Sequence, residues 1–264
     1  MNIVIANDDG IFAQGLKELV SIAKKYGTIT VVAPDRSRSG QSHAVTFTDI
    51  IRVVKVKEEE GVTSYQCSGT PADCVKIAIG EILKGQKVDL VLSGINHGSN
   101  AATNVIYSGT MAAAVEGALN GIDSIGFSIA DHALKIDFNG GKGLKYVDEI
   151  IQKVITYREK LKNENLNGTP ICWNVNFPNA SDIKGIHVGR QSYNEVWHDI
   201  IVKRDDWFNL PYYWIAGELR DTDADQTTDL YALARNYVSI VPVRIDWTAH
   251  EQIESIKKVF EENL

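Results

Sequence analysis

The sequence predicts an α/β protein with a mainly parallel sheet, flanking helices and right-handed crossovers. In the first half of the chain, short β-branched runs alternate with amphipathic stretches, which is the pattern of βαβ units. Of the 264 residues, 44% are apolar and 23% are charged, a composition typical of globular rather than disordered proteins. We expect a single domain over residues 1–264, with a core at about 1–188 and a C-terminal hairpin and helix extension at about 189–264.

The elements of the first half follow from hydrophobic periodicity and from residues that end an element. Continuous apolar runs predict strands at 2–6, 28–33, 89–93 and 124–129. Apolar residues at helical spacing predict a helix between the first two strands, and Gly27 is a suitable stop for it. The Ala-rich residues 111–120 predict a further helix.

A β-rich segment interrupts this alternation. Residues 45–56 and 63–67 flank an acidic turn at 58–61, so we expect an antiparallel hairpin that decorates the core. A helix then begins after Thr70, because Thr is a good N-cap, Pro71 suits the first turn, and Asp73 faces the positive end of the helix dipole.

The second half continues with elements of both kinds. Strands are predicted at 171–176, 183–188 and 237–243, and helices at 143–161, 230–235 and 250–261. The Trp- and Tyr-rich residues 197–214 predict a protruding hairpin. Its aromatic side chains can either stack on a nucleobase or be buried at a subunit interface.

Composition also limits location and partners. The formal net charge of −7 opposes binding to long nucleic acids, because no basic stripe neutralises their phosphates. No apolar run approaches the length that spans a bilayer, and the N-terminus lacks the basic region of a signal peptide. Three cysteines cannot close a disulfide framework. We therefore expect a cytoplasmic protein that binds no membrane.

Adjacent carboxylates follow the first predicted strand. Asp8 and Asp9 stand where ligands bind in parallel sheets, at the carboxyl end of a strand. Two anions so close repel each other, and a divalent cation with oxygen ligands such as Mg²⁺ relieves that repulsion. The alternative is an ordinary Asp-Gly turn with solvated carboxylates.

Three other polar segments are expected to meet these carboxylates. Ser37, Ser39 and Gly40 follow the second strand, and Asn96 and Asn100 follow the strand at 89–93. Their oxygens can complete a cation's shell and their donors can hold a phosphate, although such loops mostly cap helices and form Asx-turns.

The third segment is Ser108-Gly109-Thr110, which precedes the Ala-rich helix and offers hydroxyls and backbone N–H groups to an anion. A plain N-cap is the alternative there, and it is compatible with phosphate binding. His43 and His97 lie in the same loops and can bind substrate or carry protons, but a surface or supporting role is favoured for each, since no pair of histidines has the spacing of metal ligands. The chain has no P-loop motif, no G-x-G-x-x-G after its first strand, no G-x-S-x-G elbow and no H-E-x-x-H.

Taken together, the motifs resemble those of the SurE family of stationary-phase survival proteins. The N-terminal ones are residues 3–11 (IVIANDDGI), 33–40 (APDRSRSG), 68–75 (SGTPADCV), 93–100 (SGINHGSN) and 107–110 (YSGT). Later segments agree, namely 174–178 (NVNFP), 211–215 (PYYWI) and 237–240 (YVSI). Asn236 departs from the family pattern, which has Gly before Tyr-Val-Ser, but Asn also accepts a left-handed conformation at a helix end.

The resemblance implies a Rossmann-like core with β-hairpin extensions and a C-terminal oligomerisation segment, assembled into dimers or tetramers. It implies a metal-dependent nucleotidase with one divalent cation per subunit, Mg²⁺ or Mn²⁺, acting on nucleoside monophosphates. By the same resemblance the metal ligands are Asp8, Asp9, Ser39 and Asn96. The residues that hold the phosphate are Gly40, Asn100, Ser108, Gly109 and Thr110.

The expected activity is therefore that of a 5′-nucleotidase, with 3′-phosphates as a second substrate class. Asp8 and Asp9 are the expected catalytic residues, and a metal-activated water is the expected nucleophile. Two alternatives stay open: an aspartyl-phosphate-forming phosphatase, and a nucleotide-sensing module without turnover. The contiguous carboxylates disfavour both, because aspartyl-phosphatases space two Asp by one residue and a pure phosphate binder gains little from adjacent anions.

Overall fold

The computed structural model describes residues 1–130, 143–163, 171–194, 196–219 and 223–261. Its strands are β1 (Asn2–Ala6), β2 (Thr28–Pro34), β3 (Val53–Glu59), β4 (Val62–Cys67), β5 (Leu90–His97), β6 (Ser124–Ala130), β7 (Cys172–Pro178), β8 (Gly185–Val188), β9 (Trp197–Asp205), β10 (Pro211–Leu219) and β11 (Tyr237–Val243). Its α-helices are α1 (Gln14–Ala23), α2 (Pro71–Ile77), α3 (Gly109–Leu119), α4 (Leu144–Asn163), α5 (Asp229–Ala234) and α6 (Ile253–Phe260). A π-helical turn at Ala78–Ile82 and 3₁₀ turns at Lys24–Tyr26, Ala102–Tyr107 and His250–Gln252 complete them.

Nine strands form one large sheet in the order β3-β4-β2-β1-β5-β6-β7-β11-β8. Strand β1 pairs in parallel with β2 on one side and with β5 on the other. The chain therefore leaves β1 in one direction and later crosses to its opposite side, which makes the carboxyl end of β1 a topological switch point. This confirms the α/β class and the mainly parallel sheet.

Alternation along β1 shows how the sheet is covered on both faces. Ile3 and Ile5 pack into the cluster that contains Leu19 of α1 and Ile150 of α4. The intervening Val4 and Ala6 face the opposite cluster, which contains residues of α2 and α3. Successive side chains of a strand point to opposite faces, so a strand with helices on both sides must be apolar throughout. The continuous apolar run at 2–6 has this cause.

The β3–β4 hairpin differs from its sequence-based prediction in two ways. Its antiparallel pairing is confirmed, but β3 begins at Val53 and not at residue 45, and the earlier Phe47 is 89% exposed. The hairpin also does not decorate the core from outside, because β4 pairs in parallel with β2 and extends the main sheet. The unsatisfied backbone groups along β2 make this edge a ready partner for another strand.

Strand β5 also runs further than predicted. The sequence predicts that the strand ends at residue 93, but it continues to His97, with Asn96 opposite Ser128 of β6 after a register shift that begins at Ser93. Gly94 has a φ of +123° within this irregularity, a conformation that other residues rarely adopt. The Gly and Asn residues of this segment do coincide with irregular backbone, but pairing with β6 keeps residues 96 and 97 in the sheet.

The C-terminal part contributes to the main sheet. Strand β11 lies between β7 and β8, antiparallel to the first and parallel to the second. The boundary expected near residue 188 therefore does not divide the sheet. Asn236, directly before β11, has a φ of +65°, the left-handed conformation expected of it.

The predicted aromatic hairpin is present as β9–β10, which forms a separate two-stranded antiparallel sheet. None of the helices in the described part of the chain is both long enough and apolar enough to cross a membrane.

Candidate active site

A tight turn presents the two carboxylates at the end of β1. The Asn7 side chain closes this turn, because its Nδ2 donates to the Gly10 carbonyl at 3.0 Å and its Oδ1 accepts from the Gly10 N–H at 3.2 Å. Gly10 has a φ of +102°, and a Cβ there would lie 3.3 Å from the Pro34 carbonyl oxygen. The turn thus requires glycine, and it holds Asp8 and Asp9 against the end of β2.

Asp8 is a buried carboxylate with one strong hydrogen bond. It is 3% exposed, and its Oδ1 accepts from the Thr110 hydroxyl at 2.5 Å. Burial raises the pKa of Asp8 to about 6, and the neighbouring charge of Asp9 adds to the rise while the Thr110 hydrogen bond opposes it. The hydroxyl of α3 therefore both orients Asp8 and favours its ionised form.

Asp9 is less well satisfied. Its Oδ2 is buried and has no hydrogen-bond partner among the residues that the structure describes. Burial raises the pKa of this carboxyl too, and a backbone hydrogen bond from His97 only partly opposes the rise. An orphaned carboxylate oxygen beside a second carboxylate suits a divalent cation, which would neutralise both. The described residues contain no group of three or more His, Cys, Asp or Glu side chains suited to a metal, so further ligands would be neutral oxygens.

The loop after β2 reaches the same place through its backbone. The Arg38 N–H donates to the Asp8 carbonyl at 2.7 Å, which brings the following Ser39 and Gly40 to the carboxylates' side of the sheet. The hydroxyls of Ser37 and Ser39 lie 3.0 Å apart and both residues are exposed. Gly40 has a φ of +72° with open space around it. Among the described residues, the Ser39 hydroxyl forms a hydrogen bond with Ser37 and none with either carboxylate.

Asn96 and Asn100 have different surroundings. Asn96 is 8% exposed, its Nδ2 donates to the Gly98 carbonyl at 2.8 Å, and the next residue supplies the backbone hydrogen bond to Asp9. The Asn100 side chain instead donates to Ser128 of β6 at 2.8 Å. Of the two, only Asn96 is linked by its neighbour to the carboxylate pair.

The N-terminus of α3 packs directly on Asp8. A Cβ on Gly109 would lie 2.7 Å from the Asp8 Cβ, so only glycine permits this approach. Ser108 is the N-cap, and its Oγ accepts from the Met111 N–H at 3.0 Å. The first-turn N–H groups of an α-helix carry partial positive charge, and here the Thr110 N–H also donates to the Asp8 carboxylate. The start of this 11-residue helix therefore favours negative charge beside it.

The two histidines are not equivalent. His43 contacts Glu116, a 3% exposed residue in the middle of α3, with Nε2 and Oε2 3.1 Å apart. Lys76 of α2 donates to the other oxygen of Glu116 at 2.7 Å. His43 thus ties its loop to α3, while His97 serves Asp9 through its backbone. Sequence reasoning missed Glu116, for which the only signal is a carboxylate within an otherwise small and apolar helix.

The aromatic hairpin is exposed in the single chain. Trp207 is 94% exposed, Trp214 is 62% exposed and Ile215 is 75% exposed. The rings of Tyr212 and Trp214 meet edge to face at a centroid distance of 6.4 Å. No contact in the described part of the chain places these rings at the carboxylates.

Comparison with known proteins agrees with these motifs. The family model described as "Survival protein SurE" matches residues 3–198. A protein from Christiangramia forsetii named 5′-nucleotidase SurE is 45% identical over 260 residues, covering 96% of this chain and 95% of that protein. One of the same name from Cytophaga hutchinsonii is 42% identical over 258 residues, covering 97% and 95%. The crystal structure of a SurE protein from Aquifex aeolicus superposes with a TM-score of 0.75 at 36% identity, covering 98% of this chain and 99% of that one.

Proposed function

The chain belongs to the SurE family, and on that premise we propose that the end of β1 is the site at which it hydrolyses nucleoside monophosphates to nucleoside and phosphate. Relatives that match nearly its whole length are named 5′-nucleotidases, and the chain is a phosphoric monoester hydrolase. The observation that carries the site is the buried Asp8–Asp9 pair against the N-terminus of α3. This arrangement supports a site in which carboxylates that can bind a cation lie beside a helix N-terminus that favours an anion.

SurE nucleotidases depend in general on a divalent metal, and the donor set here suits one. The residues that would hold the metal are Asp8, Asp9, Ser39 and Asn96. The strongest support for this assignment is the buried Asp9 Oδ2, which lacks a hydrogen-bond partner among the described residues. When bound, Mg²⁺ or Mn²⁺ polarises a phosphoryl oxygen and lowers the pKa of water. One cation per subunit balances the two carboxylates.

The chain's own groups bind and orient the phosphate. The partial positive charge at the start of α3 favours an anion, although the Thr110 and Met111 N–H groups already donate to Asp8 and to the Ser108 Oγ. The Ser108 hydroxyl can donate a further hydrogen bond, because its oxygen acts as an acceptor in the cap. Gly40 leaves open space where its loop turns, so a phosphate oxygen can approach its backbone. Because these donors are already in position before the reaction, they can stabilise the negative charge that develops on the phosphoryl oxygens in the transition state.

The attacking group is assigned to water rather than to a carboxylate. Asp8 is oriented by Thr110 and lies against Gly109, and both Asp8 and Asp9 would be committed to the cation, so neither offers a free carboxylate for in-line attack. Direct transfer to water inverts configuration at a chirally labelled phosphorothioate. An aspartyl-phosphate intermediate would instead give retention and a trappable acyl-phosphate.

A single assay tests the activity. Phosphate release from a nucleoside 5′-monophosphate is measured with Mg²⁺ or Mn²⁺ and again with EDTA, and the 3′-monophosphate is compared in parallel. We expect turnover that EDTA abolishes and that added metal restores. Nucleotide binding without phosphate release would instead identify a sensing module.

Assembly and location complete the proposal. The exposed aromatic hairpin supports a homodimer or tetramer, because monomers rarely expose so large an apolar patch. The net charge of −7 supports a mononucleotide rather than a long nucleic acid as substrate. We propose the cytoplasm as the compartment.

A further inference from the structure

Two buried asparagines of β7 hold the backbone of Asn100 from both sides. The Asn100 N–H donates to the Asn176 Oδ1 at 2.8 Å, and the Asn100 carbonyl accepts from the Asn174 Nδ2 at 2.9 Å. The two amides are themselves joined, because the Asn176 Nδ2 donates to the Asn174 Oδ1 at 2.8 Å. Side-chain amides here replace the backbone partners that a neighbouring strand would supply.

The same cluster fixes the Asn100 side chain. Its Nδ2 donates to the Ser128 hydroxyl at 2.8 Å, and the Ser99 hydroxyl, 3.3 Å from the Asn176 Oδ1, receives the Ala101 N–H at 3.1 Å. A carboxamide nitrogen carries two N–H bonds, so one remains on Asn100 for a phosphate oxygen. The cluster therefore determines the direction in which that N–H points.

The two asparagines lie on β7, three strands away from β1, which carries the carboxylate pair at its end. Asn176 stands opposite Ser128 of β6, which in turn stands opposite Asn96 of β5. Asn176 is fully buried and two strands away from Asn96, so it acts on the site only through Asn100. Burying a polar side chain costs free energy unless its polar atoms form hydrogen bonds. The side-chain amides of Asn174 and Asn176 meet this condition, because they bond to each other and to the backbone of Asn100.

We propose that Asn176, supported by Asn174, is a positioning residue of the phosphate site. It holds the backbone of Asn100 so that the second N–H of the Asn100 amide faces the phosphate. The inference rests on the proposed function, since that function assigns Asn100 to phosphate. It predicts that Asn176 controls phosphate affinity and leaves the affinity for the divalent cation unchanged.

Three variants test this role. Asn176→Leu has similar size and leaves the Asn100 N–H without an acceptor. Asn174→Ala removes the donor to the Asn100 carbonyl and leaves room for water, so it provides a milder second test if Asn176→Leu does not fold. Ser239→Ala is the matched control, because Ser239 is the buried neighbour of Asn176 on β11 and its Oγ has no hydrogen-bond partner in the described part of the chain.

Calorimetric titrations with Mn²⁺ alone and with inorganic phosphate, together with steady-state kinetics on adenosine monophosphate, give the readouts. We expect Asn176→Leu to weaken phosphate binding and raise KM by about tenfold, the effect of one hydrogen bond to a charged group, with a smaller change in kcat. Asn174→Ala should act in the same direction, and Ser239→Ala should match the wild type. Mn²⁺ affinity should be unchanged in all three.

Two results would overturn the inference. One is wild-type phosphate affinity in both asparagine variants, and the other is a parallel loss of Mn²⁺ and phosphate affinity, which would indicate a general structural role. The proposed function fails separately, through absence of turnover in the wild-type protein. The two failures are therefore distinguishable.

Discussion

Asp8 and Asp9 are neighbours in sequence but differ in how the protein satisfies them. Asp8 accepts a hydrogen bond from the Thr110 hydroxyl, whereas the buried Asp9 Oδ2 has no partner within the described ranges. The pKa of both carboxyls is raised mainly by burial, so without a cation both anions destabilise the folded protein. At the scale of single residues, the site is therefore built for a ligand that supplies positive charge.

Asp9→Asn should abolish metal-dependent hydrolysis while stabilising the metal-free protein. The substitution removes an unpaired buried charge, and we expect Tm in EDTA to rise by about 3 °C, the shift that roughly 1 kcal/mol produces in a domain of this size. Differential scanning calorimetry and phosphate release measure the two effects. Glu81→Gln, which removes an exposed carboxylate, should change neither. Near wild-type activity of Asp9→Asn at saturating metal would exclude Asp9 as a ligand.

Thr110→Val and Thr110→Ser separate the hydroxyl of Thr110 from its bulk. Valine fills the same buried space but cannot donate to Asp8, so kcat/KM should fall by at least about tenfold, as expected for a lost hydrogen bond to a charged group. Serine keeps the hydroxyl and should retain most of the activity. Equal activities of the two variants in the phosphate-release assay would contradict the role assigned to this contact.

At the scale of elements, α3 contacts both the carboxylate pair and the loop that follows β2. Its first turn presents Ser108–Thr110 beside Asp8, and its middle carries Glu116, which binds His43 from the loop after β2 and Lys76 from α2. Burial alone would raise the pKa of Glu116, but the hydrogen bonds from His43 and Lys76 outweigh it and hold the pKa below its ordinary value of 4.5. The loop that carries Ser39 and Gly40 is thus anchored to the helix that carries the phosphate donors.

The stability that Glu116 contributes should depend on pH. Because its folded-state pKa lies below 4.5, the contribution is fully present above that pH and is lost as the pH falls through the folded-state value. Urea unfolding of wild type and Glu116→Gln should therefore show a difference in the free energy of unfolding that narrows in acid. Glu58→Gln, at an ion pair whose glutamate is 65% exposed, is the control and should show little difference. A gap that widens in acid would contradict the assignment.

At the scale of the whole molecule, a net charge of −7 coexists with a strongly apolar projection. The β9–β10 hairpin pairs only with itself in the sheet topology, and it exposes Trp207, Trp214 and Ile215. Net negative charge keeps such a protein dispersed, but it does not cover an apolar hairpin. A second copy of the chain is the cover that a homo-oligomer would provide.

Trp214→Asp should shift the protein towards monomers. Placing a carboxylate in an apolar interface leaves it desolvated and unpaired, which is among the costliest changes an interface can suffer. Sedimentation velocity at micromolar concentration measures the change. Val54→Asp, at a 59% exposed position on the edge strand β3, is the matched apolar-to-acid control and should keep the wild-type assembly. A stable wild-type monomer under these conditions would exclude the proposed interface.

The sequence by itself determined the α/β class, most of the elements and the grouping of polar segments around Asp8. These features depend on local rules: apolar runs make doubly covered strands, Thr70 and Pro71 cap a helix, and Asn236 takes the left-handed conformation that its position requires. The capping box of Thr70 and Asp73, for example, is complete in the structure. Local chemistry decides such features because their partners are only a few residues away.

Only the tertiary structure decided which polar residues meet. Sequence placed Asn96 and Asn100 in one loop, but Asn96 lies within β5 and pairs with β6, whereas Asn100 is held by Asn174 and Asn176 from more than 70 residues away. The partnership of His43 with Glu116 likewise crosses 73 residues. Such contacts depend on strand order and register, which bring distant segments together through burial of the apolar faces that they share, and no local pattern encodes them.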